Sequence, residues 1–149
     1  MLWAVSVVVE IAWFFTQGRW LPRWPLSRWL LVCAAAMALR MGMTAAAGAW
    51  LLVLVVAQML HALTFAAHHT VCRGLLSDYF PGRLRGRGQA LYTVLAYGLP
   101  GVVGALAGGA LGDAAGLASV YWAAMVASVL SCLCAWKVGH SALKERSLE

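Results

Sequence analysis

Charged residues are scarce in this 149-residue sequence, and acidic residues are the scarcest of them. Only 11% of the residues are charged, five are Asp or Glu, and 63% are hydrophobic. A soluble domain of this size carries about a quarter charged residues, and its surface helices have a charged outer face. No helix predicted here has such a face, which argues against a soluble bundle. Apolar runs of about 20 residues instead predict an all-α, polytopic membrane bundle.

Cysteine patterns that define a metal site or a disulfide framework are also missing. The four cysteines all lie in apolar segments, and Cys132 and Cys134 are two residues apart, on different faces of a helix. His68 and Cys72 are one turn apart, but interfacial hydrogen bonding explains them better than a shared metal. The sequence has no nucleophile–base pair and no phosphate-binding glycine loop. We therefore expect no enzymatic activity, no metal and no cofactor.

The start of the sequence, MLWAVSVVVEIAWFF, is apolar like a cleavable leader, but we do not expect it to be one. This stretch has no basic first region and no small-residue cleavage site, and Glu10 interrupts it. We interpret it as a membrane helix, although it is short for a complete span. Hydropathy predicts five transmembrane helices in a single domain, residues 1–149: residues 2–16, 29–47, 50–79, 89–111 and 117–136.

The positive charges lie in alternate connections between these helices. Arginines follow the first and third helices and lysines follow the fifth, whereas the second is followed by no charge and the fourth by Asp113. We expect a multi-pass protein of the cell (inner) membrane, and the positive-inside rule then places the start of the chain outside and its end in the cytoplasm. Because the charges sit between apolar segments, the partner is the lipid bilayer and not nucleic acid. Arg83, Arg85 and Arg87 of the second basic loop, residues 80–88, are candidate anchoring or gating residues.

Three ionisable residues interrupt apolar helices at a similar depth: Glu10, Arg40 and His61. At about 1.5 Å per residue, each lies near the middle of a hydrocarbon core about 30 Å thick. Ionisable groups at that depth usually face a cavity or a partner. They are candidates for a central site in which Glu10 carries a proton and Arg40 holds an anionic substrate or neutralises Glu10. The alternative is a structural Glu10–Arg40 ion pair that locks two helices together.

A polar stripe runs along the third helix from Gln58 through His61 and Thr64 to His68. Helical spacing puts these side chains on one face, which we expect to meet protein or water and not lipid. Histidine titrates near neutral pH when water reaches it, so His61 is a candidate proton carrier. The alternative is a histidine that only hydrogen-bonds a neighbouring helix.

Small residues form a ridge on the fourth helix, where Gly104, Gly108 and Gly112 recur every fourth residue and Gly101 precedes them. Such a ridge lets another helix approach closely. Pro100 is expected to kink the helix. The ridge is either a sliding surface that opens and closes a pathway or a site of static close packing, and both interpretations stay open.

Several stretches carry a family resemblance: VVVEIAWFF, then a basic loop and ALRMG, then LHALTFAAHH with YFPGRLRGRGQALY, and finally YGLPGVVGALAGGAL. Together they resemble helices eight to twelve, in the C-terminal half, of major facilitator superfamily transporters. More narrowly, they are similar to the branch of phenylpropionate permeases and nucleoside–proton symporters. The loop GRWLPRWPLSRW departs from that pattern, because the acidic residue of the family's basic loop is absent.

The resemblance implies a proton-coupled symporter for a small organic solute such as an aromatic acid or a nucleoside. By matching position, Glu10, Arg40 and His61 are implied to line its central cavity. The implied partners are the proton, the solute and an N-terminal half outside this chain, without which we expect no transport. The alternative is a stand-alone five-helix membrane subunit or assembly protein. A reading frame that continues upstream with seven more helices would favour the transporter.

Overall fold

Five helices make up the chain in its computed structural model, which describes the backbone of residues 2–146 and the side chains of residues 2–140. The predicted domain ends, residue 1 and residues 147–149, lie outside that part. The helices are α1 (Leu2–Trp20), α2 (Leu26–Ala47), α3 (Leu51–Tyr79), α4 (Gly82–Ala115) and α5 (Leu117–Arg146). No strand occurs in the described backbone, so the all-α class is confirmed.

Four of these helices, α2 to α5, are long and apolar enough to cross a membrane. The prediction of five such spans is therefore not matched, because α1 is not among the four. Its last turns contain Gln17, Gly18 and Arg19, so its 19 residues are less apolar than a span requires. Gln17 has a partner within the protein, since Thr70 Oγ1 donates a hydrogen bond to its Oε1 at 3.0 Å.

Helix bounds differ from prediction mainly where a loop was expected. Residues 80–88 are not an open loop, because a short 3-10 turn from Gly82 leads into α-helix at Arg85. The Phe80 ring folds back onto Gly88, where an added Cβ would lie 2.6 Å from the ring. Pro81, in an extended conformation, precedes the turn and favours a helix start. Arg83, Arg85 and Arg87 are thus exposed residues at the beginning of α4.

The remaining bounds reflect how each helix is capped. α2 begins at Leu26, three residues before the prediction, because the Pro25 carbonyl accepts hydrogen bonds from the amides of Arg28 and Trp29. α4 continues to Ala115 and ends where Gly116 adopts a left-handed φ of 82° and donates to the Gly112 carbonyl. α5 continues ten residues beyond the predicted end at residue 136.

Neighbouring helices alternate in direction, as their contacts show. Glu10 and Gln17 of α1 meet His61 and Thr70 of α3, so these two helices are parallel. In α2, Leu26 lies against Gly74 of α3, whereas Arg40 lies against His61, so the pair is antiparallel.

α2 also runs antiparallel to α5, with Gly42 facing Met125 and Ser27 facing Gly139. Small side chains fill the tightest contacts, among them Cys33, Ala66 and Ala67, each at most 1% exposed. Beyond its first turns, α4 contributes no buried residue to the core.

Candidate functional site

The middle of the bundle brings together the five polar residues that the sequence singles out: Glu10, Arg40, Gln58, His61 and Thr64. Glu10 comes from α1, Arg40 from α2 and the other three from α3. Each helix is apolar on either side of its polar residue, so packing the helices side by side superposes the polar groups at one depth. The structure thereby forms one hydrogen-bonded cluster, which we call the central cluster.

His61 lies at the centre of this cluster, between the two charged groups. Its Nε2 is 2.8 Å from Glu10 Oε1, and its Nδ1 is 2.7 Å from Arg40 Nη1. Because a guanidinium only donates hydrogen bonds, His61 Nδ1 must accept from Arg40. This assigns the imidazole proton to Nε2, where it is donated to the Glu10 carboxylate. In this arrangement His61 is neutral, and the charges of Arg40 and Glu10 balance.

Arg40 has two further partners on α3. Its Nη1 donates to Thr64 Oγ1 at 3.0 Å, and its Nη2 donates to Gln58 Oε1 at 3.4 Å. Among the described side chains, Glu10 pairs with His61 and not with Arg40. The direct Glu10–Arg40 ion pair is therefore replaced by a chain of three groups with the imidazole in the middle. The side chains of His61 and Glu10 are 23% and 19% exposed, so the described residues do not fully cover that end of the three-group chain.

A π-helical segment, Ala62–Ala67, lies in α3 beside the central cluster. A π turn adds a residue to the helical register, and such turns are frequent at functional sites. Here it separates the polar stripe into two parts. Gln58, His61 and Thr64 reach Arg40, whereas His68 points to a different contact, with Cys72.

An aromatic row along α3 was missed by sequence reasoning. The rings of His61 and Phe65 stack with centroids 5.4 Å apart, and Phe65 is followed by His69 at 6.5 Å. His69 Nδ1 then lies 3.1 Å from the hydroxyl of Tyr97 on α4. The i, i+4, i+8 spacing of His61, Phe65 and His69 was the available signal. The partner Tyr97 could not be found in this way, because it is distant in sequence.

Below the central cluster, a cavity of about 280 Å³ opens between α2, α3, α4 and α5. Thr64 belongs to both, since it lines the cavity and accepts the Arg40 hydrogen bond. His68 also lines it, with Nε2 3.6 Å from Cys72 Sγ. Within the described residues, no group of three His, Cys, Asp or Glu side chains comes together as metal ligands.

The candidate gating residues lie away from the central cluster. An added Cβ at Gly101 or Gly104 would meet no atom within 4 Å, whereas one at Gly108 or Gly112 would contact Val120 of α5 at 3.6 or 3.5 Å. Among the residues that the structure describes, only the last part of the glycine ridge therefore packs against another helix. The arginines at the start of α4 are likewise exposed. A gating role for the ridge glycines or for these arginines stays a prediction.

A comparison with protein families identifies one match: the model described as MFS_1 like family matches residues 1–123. The matched range contains all five residues of the central cluster. No match to the chain is found among curated proteins or among solved structures.

Proposed function

The chain belongs to the MFS_1 like family, and on that premise we propose that it is the C-terminal half of a proton-coupled symporter for a small organic solute. The family is related to the major facilitator superfamily, whose members are transporters and generally not enzymes. With four helices able to span a bilayer, the chain is a multi-pass membrane protein. The solutes we propose are an aromatic acid or a nucleoside, as in the phenylpropionate permease and nucleoside–proton symporter branch.

The observation that carries this proposal is the position of His61 between Glu10 and Arg40. Arg40 Nη1 donates to His61 Nδ1, so a second proton cannot bind this nitrogen until the guanidinium moves away. The Glu10 carboxylate is the group that is free to accept a proton without that movement. Proton binding at Glu10 removes the negative charge that balances Arg40, and buried charges need a partner. The cluster thus links proton binding to a rearrangement of Arg40.

A rearranged Arg40 changes what α3 presents to a solute. Thr64 and Gln58 accept hydrogen bonds from the guanidinium, and both become available when it moves. Two-state coupling of this type needs a group with different partners in the two states. We propose that Glu10 and His61 carry the proton and that Arg40, Gln58 and Thr64 respond to the solute.

The proposed topology has the start of the chain outside and its end in the cytoplasm of the inner membrane. The alternating directions of α1, α2 and α3 support it, because they agree with the alternating basic connections. The exposed second half of α4 supports a further partner for the bundle. An N-terminal half is the partner we propose, since alternating access needs two halves that rock around a central site.

Proton coupling is tested by Glu10→Gln in the complete transporter that we propose, in which an N-terminal half accompanies this chain. Glutamine keeps the shape of the side chain and can still accept from His61 Nε2, but it cannot take up a proton. We expect solute accumulation driven by a pH gradient to fall at least about tenfold, while exchange of labelled for unlabelled solute continues. Asp113→Asn, at an exposed acid near the end of α4, is the matched control and should transport normally. Unchanged accumulation by Glu10→Gln would remove Glu10 as the proton carrier.

A further inference from the structure

The cavity beneath the central cluster is a chamber distinct from the charged groups above it. Its volume of about 280 Å³ is about twice that of a cavity that holds one benzene molecule. It therefore fits one six-membered ring with a short substituent. Residues of α2, α3, α4 and α5 line this open cavity.

The walls of the cavity combine aromatic rings with hydroxyl groups. Tyr92 and Tyr97 form an edge-to-face pair with centroids 5.6 Å apart on the α4 side. Thr64 and Ser128 present hydroxyls from α3 and α5. Ser128 donates to the Ala124 carbonyl at 2.7 Å, so its oxygen is left to accept a hydrogen bond from a solute. A ring bearing a hydroxyl matches both features, because it stacks on the tyrosines and donates to serine.

Permanent charge is absent from the side chains that line the cavity. Arg40 does not line the cavity, and its guanidinium nitrogens already bond to His61, Thr64 and Gln58. A carboxylate in the cavity would be an unpaired charge within the membrane, which is strongly unfavourable. The wall therefore discriminates against anions.

We propose that this cavity is the solute-binding site, and that the solute is an uncharged organic molecule built on one ring with at least one hydroxyl group. The inference rests on the proposed transport function and narrows it, since it favours a neutral solute over an aromatic acid. Thr64 connects the two sites, because it lines the cavity and also accepts a hydrogen bond from Arg40 of the central cluster.

The test is direct binding to the 149-residue chain in lipid nanodiscs, with two probes of matched shape. One is 4-hydroxybenzyl alcohol, which is neutral, and the other is 4-hydroxybenzoate, which is an anion at neutral pH. Ligand-dependent melting should give a dissociation constant for the alcohol that is at least about tenfold lower than that for the carboxylate. Equal or tighter binding of the carboxylate, or no binding of the alcohol, overturns the proposal.

Two neighbouring alanines of α2 provide the matched variants. Ala34 is 7% exposed and lines the cavity, whereas Ala35 is exposed and does not line it. Ala34→Phe should fill the cavity and weaken binding of the alcohol at least about tenfold, and Ala35→Phe should keep it within about twofold. Ser131→Phe, at a more exposed position of the wall, should weaken it in the same way if Ala34→Phe does not fold. Equal binding by all these variants also overturns the proposal.

Binding to the chain alone requires no transport, so the two proposals can fail separately. If the probe does not bind but proton-dependent accumulation is intact, only the assignment of the cavity as the binding site is contradicted. If the alcohol binds selectively but Glu10→Gln leaves accumulation driven by a pH gradient unchanged, only the proposed proton coupling through Glu10 is contradicted.

Discussion

α3 and α4 are both long, apolar and interrupted by a π-helical segment, but they use their apolar surface differently. In the apolar 18-residue stretch of α3, 28% of the residues are buried within the bundle, and in the corresponding stretch of α4 none is buried. The buried face of α3 carries alanines together with the polar residues that meet Arg40. The ridge of α4 consists of glycines, which have no polar side chain to bind another helix. Hydropathy alone therefore does not separate a helix packed in protein from one that is largely exposed.

The two π segments also serve different purposes. In α3, Ala62–Ala67 lies next to His61 and surrounds Thr64, so it sets which polar side chains face Arg40. In α4, Val94–Gly98 ends two residues before Pro100. A proline ring clashes with the carbonyl four residues earlier and lacks an amide proton, and a wider turn relieves that clash. The segment in α3 accompanies the central cluster, and the segment in α4 accommodates a proline.

The largest effect is expected where α3 is held by the central cluster. Arg40→Ala removes the donor that serves His61, Thr64 and Gln58, and it leaves Glu10 without a balancing charge. We expect a loss of about 3 kcal/mol or more in the free energy of unfolding. The measurement is SDS-induced unfolding of the chain in mixed micelles. Arg28→Ala, at an exposed position of the same helix, is the control and should change it by less than about 0.5 kcal/mol.

Arg40→Lys separates the contribution of the positive charge from that of the guanidinium hydrogen bonds. A lysine keeps the charge but loses the planar fork that reaches two partners at once. Its stability should lie between those of the wild type and Arg40→Ala. If Arg40→Ala unfolds like Arg28→Ala, the central cluster does not hold α2 against α3. If solute affinity in the complete transporter is unchanged, Arg40 also has no part in binding.

A smaller effect is expected at the turn that joins α3 to α4. An alanine Cβ at Gly88 would lie 2.6 Å from the Phe80 ring, so the ring must move. We expect Gly88→Ala to lower the free energy of unfolding by about 1–2 kcal/mol. Gly86→Ala, two residues earlier in the same helix and in open space, should leave it unchanged or raise it slightly. Equal stability of the two variants would mean that the Phe80 contact does not fix this turn.

Much of the central cluster was predictable because charged residues inside a membrane are rare, and because the depth of each one follows from the number of residues to the end of its helix. Glu10, Arg40 and His61 come from different helices, and the rise per residue was enough to place them together. Which of these groups touch each other was not predictable, since the sequence is compatible both with a direct Glu10–Arg40 pair and with an imidazole that bridges them. Which stripe residues reach Arg40 depends on the π register after His61, and no local residue signals it.

The fold followed from hydropathy, but its ends did not. The polar last turns of α1 and the first turn of α4 are helical because of contacts made elsewhere. Gln17 is held by Thr70, and Phe80 packs on Gly88. Hydropathy treats such residues as loop because it registers their polarity and not their partners.

The smallest effect is expected on the exposed ridge of α4, and it separates the two interpretations of the glycines. An added Cβ at Gly104 would meet nothing within 4 Å, and alanine is the better helix former by about 0.5–1 kcal/mol. Gly104→Ala should therefore leave the unfolding free energy of this chain unchanged or raise it by up to that amount. Gly108→Ala, whose Cβ would make an ordinary contact with Val120, is the comparison within the same ridge. A destabilised Gly104→Ala chain would show that this part of α4 is packed after all. In the complete transporter, a ridge that closes against the other half should lose uptake with Gly104→Ala although the chain itself is no less stable, whereas normal uptake would leave the ridge without a gating role.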